Sequence, residues 1–258
     1  MARLHAVVIG VNSYRDPSIP ALRFACRDAQ DLSSLLTGSA IGPEVTVHLL
    51  LEADATRAKI LHAAGVEVPR RLRQDDLVLF YFAGHGSPEL VPGQGHLARF
   101  LICHDTIRES LLATAIDIEA DLARLAARLC ARLVLFVVDA CFSGYGGGRG
   151  ITGPVLEEQR RLHRPALRLA DLALGSGTVY LSACGDDEVA GEDGLLGHGV
   201  FSHYFLLQLG ASGQTPTVGL ATLYDLVFGQ VHAYSGGRQN PTLWGNVKGG
   251  SLPRLARS

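Results

Sequence analysis

Leu133-Val134-Leu135-Phe136-Val137-Val138-Asp139-Ala140-Cys141-Phe142-Ser143-Gly144 is the stretch that decides the fold of this 258-residue chain. Its first six residues form an uninterrupted apolar run, and the small and polar residues that follow indicate a turn. Short apolar runs that end in turns are typical of parallel strands buried on both faces. The stretch therefore predicts a central strand that delivers an aspartate and a cysteine to one edge of a sheet.

Apolar runs and helical periods alternate along the rest of the chain. Four further runs predict strands: Ala6–Val11, Val45–Leu50, Leu77–Phe82 and Thr178–Ser182. Five segments repeat apolar residues at helical spacing: Leu22–Leu36, Thr56–Leu72, Ile118–Leu129, Val200–Leu209 and Leu220–Val231. Asp117 is a suitable N-cap, and Pro69 either breaks its helix or starts a second one. The alternation predicts an α/β fold, with a central, mostly parallel sheet and helices on both faces.

Two segments interrupt this pattern. Residues 86–104 contain several prolines and glycines and predict a hairpin or an irregular excursion. Residues 144–176 begin with a glycine-rich stretch and continue with arginines, which favours an exposed, mobile linker. We therefore expect one domain with a larger part over residues 1–143 and a smaller part over residues 177–258.

Composition excludes several classes of protein. Hydrophobic residues make up 47% of the chain and the net charge is −2, which argues against a disordered chain and a globally basic nucleic-acid binder. Five cysteines with no C-x-x-C pair favour reduced thiols in the cytoplasm over a disulfide framework or a zinc ribbon. No apolar stretch reaches the roughly 20 residues of a membrane span. We expect neither nucleic acid nor membrane as a partner.

Candidate catalytic residues follow the ends of two of the predicted strands. Ala83-Gly84-His85-Gly86 follows one apolar run, and Asp139-Ala140-Cys141 follows another. A cysteine beside a histidine can form a thiolate–imidazolium pair, which is a strong nucleophile. Alone, such a cysteine is usually a core residue and such a histidine a turn residue. Their position at equivalent strand ends favours an active site, in which the Gly86 and Cys141 amides can stabilise an oxyanion.

Other polar clusters are weaker candidates. Adjacent residues on an extended chain point to different faces, so Cys103-His104-Asp105 does not predict a metal site. We interpret His198 and His203 as surface or packing residues. Three cysteines are interpreted as buried neutral thiols: Cys26, Cys130 and Cys184. Neither a phosphate-binding loop nor a G-x-S-x-G motif occurs in the chain.

The histidine and cysteine motifs resemble those of caspase-like cysteine peptidases, and most closely those of metacaspases and bacterial orthocaspases. His85 lies 56 residues before Cys141, close to the spacing of about 50 residues in caspases. Other segments also resemble the family: Ala6–Asn12 with Arg27-Asp28-Ala29, Thr178–Glu192, and Gln239-Asn240-Pro241-Thr242-Leu243-Trp244-Gly245. The resemblance covers nearly the whole chain.

This resemblance implies a role for each matching residue. It makes Cys141 the nucleophile, His85 the general base and acid, and the Gly86 and Cys141 amides the oxyanion hole. Asp28 and Asp139 match two aspartates that line the pocket for the side chain before the scissile bond. An acidic pocket favours arginine, or alternatively lysine. The chain departs from the metacaspase pattern at Arg27, which replaces an asparagine, and at Ala83, which replaces a serine.

The resemblance also implies self-cleavage and a cellular role. Members of the family often cut themselves between the two parts, and the candidate sites here are Arg149, Arg160, Arg161, Arg164 and Arg168. Calcium activates many metacaspases, and an acidic loop could bind it: Asp186, Asp187, Glu188, Glu192 and Asp193. Such loops are usually only solvated, so we expect no required cofactor. Regulated proteolysis in bacterial stress, defence or cell death, with a sensor or pore-forming partner, is the expected context.

Two alternatives stay open at this point. The domain could be a catalytically weak caspase-like scaffold for signalling, although both catalytic residues are present. It could also be a nucleotide-binding switch of flavodoxin-like topology, although no phosphate-binding loop is present. Rapid labelling of Cys141 by a thiol probe would distinguish the enzyme from the scaffold, and a thermal shift with nucleotides would test the switch.

Overall fold

The computed structural model of the chain describes residues 2–38, 44–90, 97–143, 148–151, 177–185, 187–211, 217–246 and 251–253. A six-stranded sheet lies at its centre. Its strands are β1 (Leu4–Gly10), β2 (Val45–Leu51), β3 (Leu77–Ala83), β7 (Leu133–Asp139), β8 (Thr178–Ser182) and β12 (Thr242–Asn246). From one edge of the sheet to the other, their order is β12-β8-β7-β3-β1-β2. All neighbours are parallel except β12 and β8. The five predicted strands are confirmed, with ends that shift by up to two residues.

Helices cover both faces of this sheet. They are α1 (Ala25–Thr37), α2 (Arg57–His62), α3 (Val68–Arg71), α4 (Leu111–Thr114), α5 (Ala123–Arg128), α6 (Val200–Leu209) and α7 (Leu220–Ser235). Along each central strand, alternate residues enter two different hydrophobic cores. One core packs against α1, α6 and α7, and the other against α2, α3 and α5. The predicted α/β architecture is therefore confirmed.

Local signals explain how two of the helices begin. The Thr56 hydroxyl accepts a hydrogen bond from the Lys59 N–H at 3.3 Å, which caps α2. A π-helical turn over Ala63–Glu67 then joins α2 to α3, so that Pro69 lies in the first turn of α3, where its missing N–H costs nothing. The Asp117 carboxylate accepts from the Ala120 N–H at 2.8 Å and caps the π turn before α5, as predicted.

The excursion after β3 is a hairpin. Strands β4 (Gly86–Leu90) and β5 (Leu97–Leu101) pair in antiparallel fashion, and β6 (Ile116–Asp117) adds a third strand. The remaining short strands are β9 (Glu192–Asp193), β10 (His198–Gly199), β11 (Thr217–Gly219) and β13 (Ser251–Pro253). Because β4 starts three residues after β3 ends, the hairpin extends from the edge of the main sheet at which the strands carry His85 and Cys141.

The glycine-rich stretch differs from its prediction. Its described part, residues 148–151, carries a buried Arg149, Gly150 and Ile151, so the expectation of a wholly exposed linker is wrong there. The other residues of 144–176 lie outside the described ranges. Strands β8 and β12, which follow the stretch, complete the sheet that β1, β2, β3 and β7 begin. The division into a larger and a smaller part stays a prediction.

No helix among the described residues has both the length and the apolar character that a membrane span requires.

Gly10, at the end of β1, allows α1 to pack closely on the sheet. A Cβ at this position would lie 2.7 Å from the Ala25 carbonyl oxygen and 2.8 Å from the Cys26 Cα. Because both atoms belong to backbone, they cannot move aside as a side chain would. We expect Gly10→Ala to lower the free energy of unfolding by about 1–3 kcal/mol, measured by urea denaturation.

Gly229 in α7 is the matched control for Gly10. A Cβ there has no neighbour within 4 Å, so the added methyl group only improves helix propensity. Gly229→Ala should raise the free energy of unfolding by about 0.5–1 kcal/mol. Equal effects of the two substitutions would contradict this account of the β1–α1 contact.

Candidate active site

The ends of β3 and β7 bring the predicted histidine and cysteine to one place. The register pairs Ala83 with Asp139, and the Gly84 N–H donates to the Asp139 carbonyl at 3.3 Å. His85 lies two residues after Ala83, and Cys141 lies two residues after Asp139. They therefore lie at the same edge of adjacent strands, as the sequence predicted.

Two contacts orient the His85 ring. Its Nε2 lies 2.8 Å from the Pro20 carbonyl oxygen, which can only accept, so Nε2 carries a proton. The His85 backbone N–H donates to the Tyr14 hydroxyl at 3.0 Å, and the two rings lie 5.4 Å apart. Within the described ranges, the buried Nδ1 has no hydrogen-bond partner. In the neutral ring, Nδ1 is thus a free base.

Burial lowers the pKa of His85, while the backbone of Pro20 and of Arg149 favours the charged ring and opposes this shift. A lowered pKa keeps the imidazole neutral near pH 7, which is the state that accepts a proton.

The Cys141 sulfur lies among hydrogen-bonding groups. Its Sγ is 3.1 Å from the Ser143 hydroxyl and 2.9 Å from the Glu188 carbonyl oxygen. A hydrogen bond from the Cys184 thiol lowers the pKa of Cys141 to about 6; burial opposes the shift and Ser143 assists it. The same interaction raises the pKa of Cys184 well above its usual value, so Cys184 stays a neutral thiol. The Cys141 thiol donates to the Glu188 carbonyl oxygen and so carries a proton in this structure, and its lowered pKa allows a base to remove that proton near neutral pH.

Arg149 places its carbonyl oxygen between the two predicted oxyanion donors. The Gly86 N–H donates to this oxygen at 2.9 Å, and the Cys141 N–H donates to it at 3.1 Å. On its other side, the Arg149 N–H donates to the Ala190 carbonyl at 3.0 Å. The Arg149 carbonyl oxygen thus takes the position of an oxygen that these two amides could stabilise as an oxyanion.

The Arg149 side chain fills a pocket of three carboxylates. Its guanidinium contacts Asp28, lies 2.9 Å from Asp139 Oδ2, and lies 3.3 Å from Glu192 Oε1. Arg149, Asp28 and Asp139 are all completely inaccessible to solvent. A planar guanidinium can donate to several carboxylates at once, which a single ammonium group cannot do with the same geometry.

Neighbouring side chains hold Asp139 in this pocket. The Ser202 hydroxyl donates to Asp139 Oδ2, and the Tyr81 hydroxyl in turn contacts Ser202. Burial raises the pKa of Asp139 to about 6, the positive charge of Arg149 opposes this, and Asp28 adds to it. The Asp139 carboxylate is therefore stabilised by the arginine that occupies the pocket.

The other two carboxylates are held from different elements. Asp28 accepts from the Gly199 N–H, and its Oδ1 lies 2.7 Å from His198 Nδ1. Glu192 accepts from the backbone N–H groups of Arg23 and Phe24 at 2.9 and 3.0 Å. Asp28 Oδ2 and Glu192 Oε1, which the guanidinium contacts, each also accept one of these backbone hydrogen bonds.

A family model described as the caspase domain matches residues 3–248. The chain belongs to the caspase family. Members of this family are cysteine peptidases that act on protein substrates. The caspase fold replaces the flavodoxin-like alternative, while the resemblance to metacaspases and orthocaspases within the family stays a prediction.

Two solved structures show the same fold. Protein GSU0716 from Geobacter sulfurreducens has a TM-score of 0.69 at 17% identity, covering 96% of this chain and 95% of that chain. Caspase-1 from Spodoptera frugiperda has a TM-score of 0.56 at 17% identity, covering 96% of this chain and 88% of that chain. A search of curated protein sequences gave no significant match.

The structure brings together the residues that sequence analysis singled out: His85, Gly86 and Cys141 follow adjacent strand ends, and Asp28 and Asp139 contact the same guanidinium. Their catalytic and binding roles stay predictions. His198, which sequence analysis interpreted as a surface or packing residue, is buried and contacts Asp28. Sequence analysis also assigned Glu192 to an acidic loop. The only available signal for Glu192 was its position shortly after β8, at the same edge of the sheet.

The acidic loop does not gather its carboxylates at one point. Glu188 accepts from the backbone N–H groups of Gly185 and Asn240, and Asp193 accepts from the Tyr234 hydroxyl at 2.8 Å. Asp186 lies outside the described ranges. Over the part of the chain that the structure describes, no group of three or more histidine, cysteine, aspartate or glutamate side chains could hold a metal ion.

The contact between Cys184 and Cys141 predicts an unusual ionisation of the nucleophile. Alkylation of Cys141 by iodoacetamide should follow a midpoint at about pH 6 and slow down at lower pH, as the thiolate becomes protonated. Cys184→Ala removes the donated hydrogen bond, so its midpoint should move upward, toward the ordinary thiol value of about 8.5.

The quantity to compare is the pH midpoint of alkylation. Cys141 is buried, so its absolute labelling rate also depends on how easily iodoacetamide reaches the thiol. Cys130 is exposed, so its interpretation as a buried thiol is wrong; it is replaced by serine in all proteins, and the label is assigned to Cys141 by mass spectrometry. An unchanged midpoint in Cys184→Ala would show that the second thiol does not activate the first.

Proposed function

We propose that this caspase-family protein is an endopeptidase that cleaves after arginine, with Cys141 as the nucleophile and His85 as the general base and acid. One observation carries the proposal. Arg149 lies in the site as a substrate residue would, with its guanidinium among three carboxylates and its carbonyl oxygen between two amides. A binding pocket and a reaction centre are thus occupied by one residue at the same time.

The chemistry follows from the orientation of these groups. His85 Nδ1 takes the proton of the Cys141 thiol, and the thiolate attacks the carbonyl carbon of the arginine residue. The Gly86 and Cys141 N–H groups stabilise the negative charge that develops on the carbonyl oxygen. The protonated histidine then gives its proton to the leaving amine, and water hydrolyses the acyl-enzyme. No metal or organic cofactor takes part in these steps.

The pocket accounts for the proposed preference. Three carboxylates withdrawn from water attract a cation strongly and disfavour an acidic side chain at the same position. Arginine satisfies Asp28, Asp139 and Glu192 together, whereas the shorter, point-like ammonium group of lysine cannot form the same fork. Lysine is therefore the weaker alternative.

Self-cleavage between Arg149 and Gly150 is the second part of the proposal. Of the five candidate arginines, Arg149 is the one within the described ranges, and its carbonyl group lies at the reaction centre. The others, at 160, 161, 164 and 168, lie outside the described residues. A cut at this bond would separate the larger part of the chain from the smaller part.

The alternative of a catalytically weak scaffold is less well supported by the site. A scaffold has no need of a thiol whose pKa is lowered to about 6, or of a histidine whose base nitrogen is free within the described residues. A role in regulated bacterial proteolysis, in the cytoplasm and with a sensor or pore-forming partner, rests on the family resemblance and is part of the same proposal.

The self-cleavage proposal predicts two fragments of defined mass. Active protein should yield residues 1–149 and 150–258, and Cys141→Ala should stay intact, because it lacks the proposed nucleophile. His85→Ala should cut itself on the order of 10³-fold more slowly. Intact-mass spectrometry of the three proteins, incubated in parallel, measures each outcome.

Replacement of Arg149 separates the site of cleavage from the activity. Arg149→Gln should abolish the cut at this bond while an external arginine peptide is still cleaved, because the guanidinium of that peptide can take the place that Arg149 leaves among the three carboxylates. A cut at an unrelated residue, or the same cut in Cys141→Ala, would contradict the proposal.

The pocket proposal predicts a loss of arginine cleavage without a loss of thiol reactivity. Asp28→Ala and Asp139→Ala each remove one partner of a desolvated charge pair, which typically costs about 2–5 kcal/mol. This corresponds to roughly 30- to 5,000-fold in kcat/KM. Fluorogenic arginine peptides measure the loss, and iodoacetamide labelling of Cys141 should be largely preserved.

Asp75→Asn is the matched control, because this exposed carboxylate lies at the opposite end of β3 and should not affect activity. Efficient cleavage after aspartate by the unmodified protein would overturn the proposed specificity.

A further inference from the structure

Ile151, two residues after Arg149, lies in a hydrophobic cluster separate from the two main cores. It is only 5% exposed. The other buried members of this cluster are Ile19, Ala98, Phe100, Ile102, Leu111 and Ala115. Along β5 and the residue after it, positions 98, 100 and 102 share one face, so the hairpin presents an apolar surface to this side chain.

The backbone of residues 149–151 runs alongside the start of β4 and is hydrogen-bonded to it. The Gly86 N–H donates to the Arg149 carbonyl, and the Ile151 N–H donates to the Gly86 carbonyl at 2.9 Å. Gly86 and Gly150 thereby form a parallel bridge. A Cβ on Gly86 would lie 2.6 Å from the Cys141 carbonyl oxygen, so a glycine here allows the strand to pass close to the nucleophile.

We infer that this cluster is a substrate subsite, which takes an aliphatic side chain at the second position after the scissile bond. The inference rests on the proposed cleavage after arginine and extends it to a substrate class, in which arginine is followed by a small residue and then by an aliphatic one. In this pose, Arg149 occupies the acidic pocket, its carbonyl group the reaction centre, and Ile151 the apolar subsite. An acidic side chain in the subsite would lose its water without gaining an ion pair there.

Peptide substrates test the subsite directly. Two internally quenched peptides, Gly-Gly-Arg-Gly-Ile-Ser and Gly-Gly-Arg-Gly-Asp-Ser, differ only at the second position after the arginine. An arginine amide of a fluorescent dye, which has no residues beyond the scissile bond, measures cleavage after arginine by itself. The isoleucine peptide should have a kcat/KM at least roughly tenfold higher than the aspartate peptide, as expected for an apolar pocket.

A pair of adjacent leucines provides matched variants of the enzyme. Leu111 belongs to the cluster and is 3% exposed, whereas Leu112 is 73% exposed. Leu111→Ala should reduce the preference for isoleucine over aspartate and leave cleavage of the arginine amide unchanged. Leu112→Ala should change neither. Equal kcat/KM values for the two peptides, in protein that cleaves the arginine amide, would overturn the subsite and leave the proposed function standing.

A second measurement does not depend on activity. In Cys141→Ala protein, hydrogen exchange of a peptide that covers residues 148–151 reports whether the segment stays in place. Ile151→Asp should release this segment and speed its exchange, and Ile151→Val should keep it protected. If the arginine amide is not cleaved at all, the proposed function fails and the subsite fails with it; if the amide is cleaved, the two peptides and this exchange experiment decide on the subsite alone. Equal hydrogen-exchange protection of residues 148–151 in Ile151→Asp and Ile151→Val would overturn the subsite.

Discussion

The ion cluster of one guanidinium and three carboxylates is the interaction on which the arrangement of the site depends. It joins the start of α1 through Asp28, the end of β7 through Asp139, and the β9 strand through Glu192. Removing charges from water costs several kcal/mol per ion, so the cluster is stable only when the charges compensate one another. Arg149 supplies this compensation, and its loss would leave carboxylates that repel each other in a dry pocket.

This requirement explains why an arginine of the same chain lies in the site. Arg149 is only eight residues after Cys141, so the tether keeps its local concentration high. Under the proposed specificity, an external arginine substrate would have to displace it, so that the same residue would be both a model of the substrate and its competitor. The raised pKa of Asp139 reflects the same balance, since burial and Asp28 favour the protonated acid while Arg149 favours the carboxylate.

Sequence analysis predicted the parts of the site that strand order controls. Apolar runs located β3 and β7, and their parallel pairing placed His85 beside Cys141 without any knowledge of loops. Asp139 followed from its position two residues before the cysteine. The family resemblance, in contrast, was needed for Asp28, because a helix residue carries no signal of its own for a pocket at the sheet edge.

The contacts that were missed depend on long-range packing. Glu192 and His198 come more than 160 residues after the residues that they contact just before and within the first turn of α1, and their hairpin has no apolar pattern that fixes its direction. Arg149 was expected in an exposed linker, since local composition rich in glycine indicates flexibility. This arginine is buried because the pocket supplies carboxylates from three segments that are distant in the sequence. The residues next to Arg149 therefore give no sign of its burial.

Under the proposed cleavage after arginine, the closeness of Asp139 to Cys141 couples recognition to reaction. Both residues belong to the same strand end, so the distance between the bottom of the pocket and the nucleophile is set by backbone geometry rather than by a mobile loop. A substrate residue whose side chain is longer or shorter than that of arginine could reach Asp139 only by moving its own backbone carbonyl group away from the Gly86 and Cys141 amides. Because oxyanion stabilisation requires donors within about 3 Å of the oxygen, such a shift would reduce the rate of reaction more than the affinity. Selectivity in this site is therefore exerted in the transition state, through the register between one carboxylate and one thiolate.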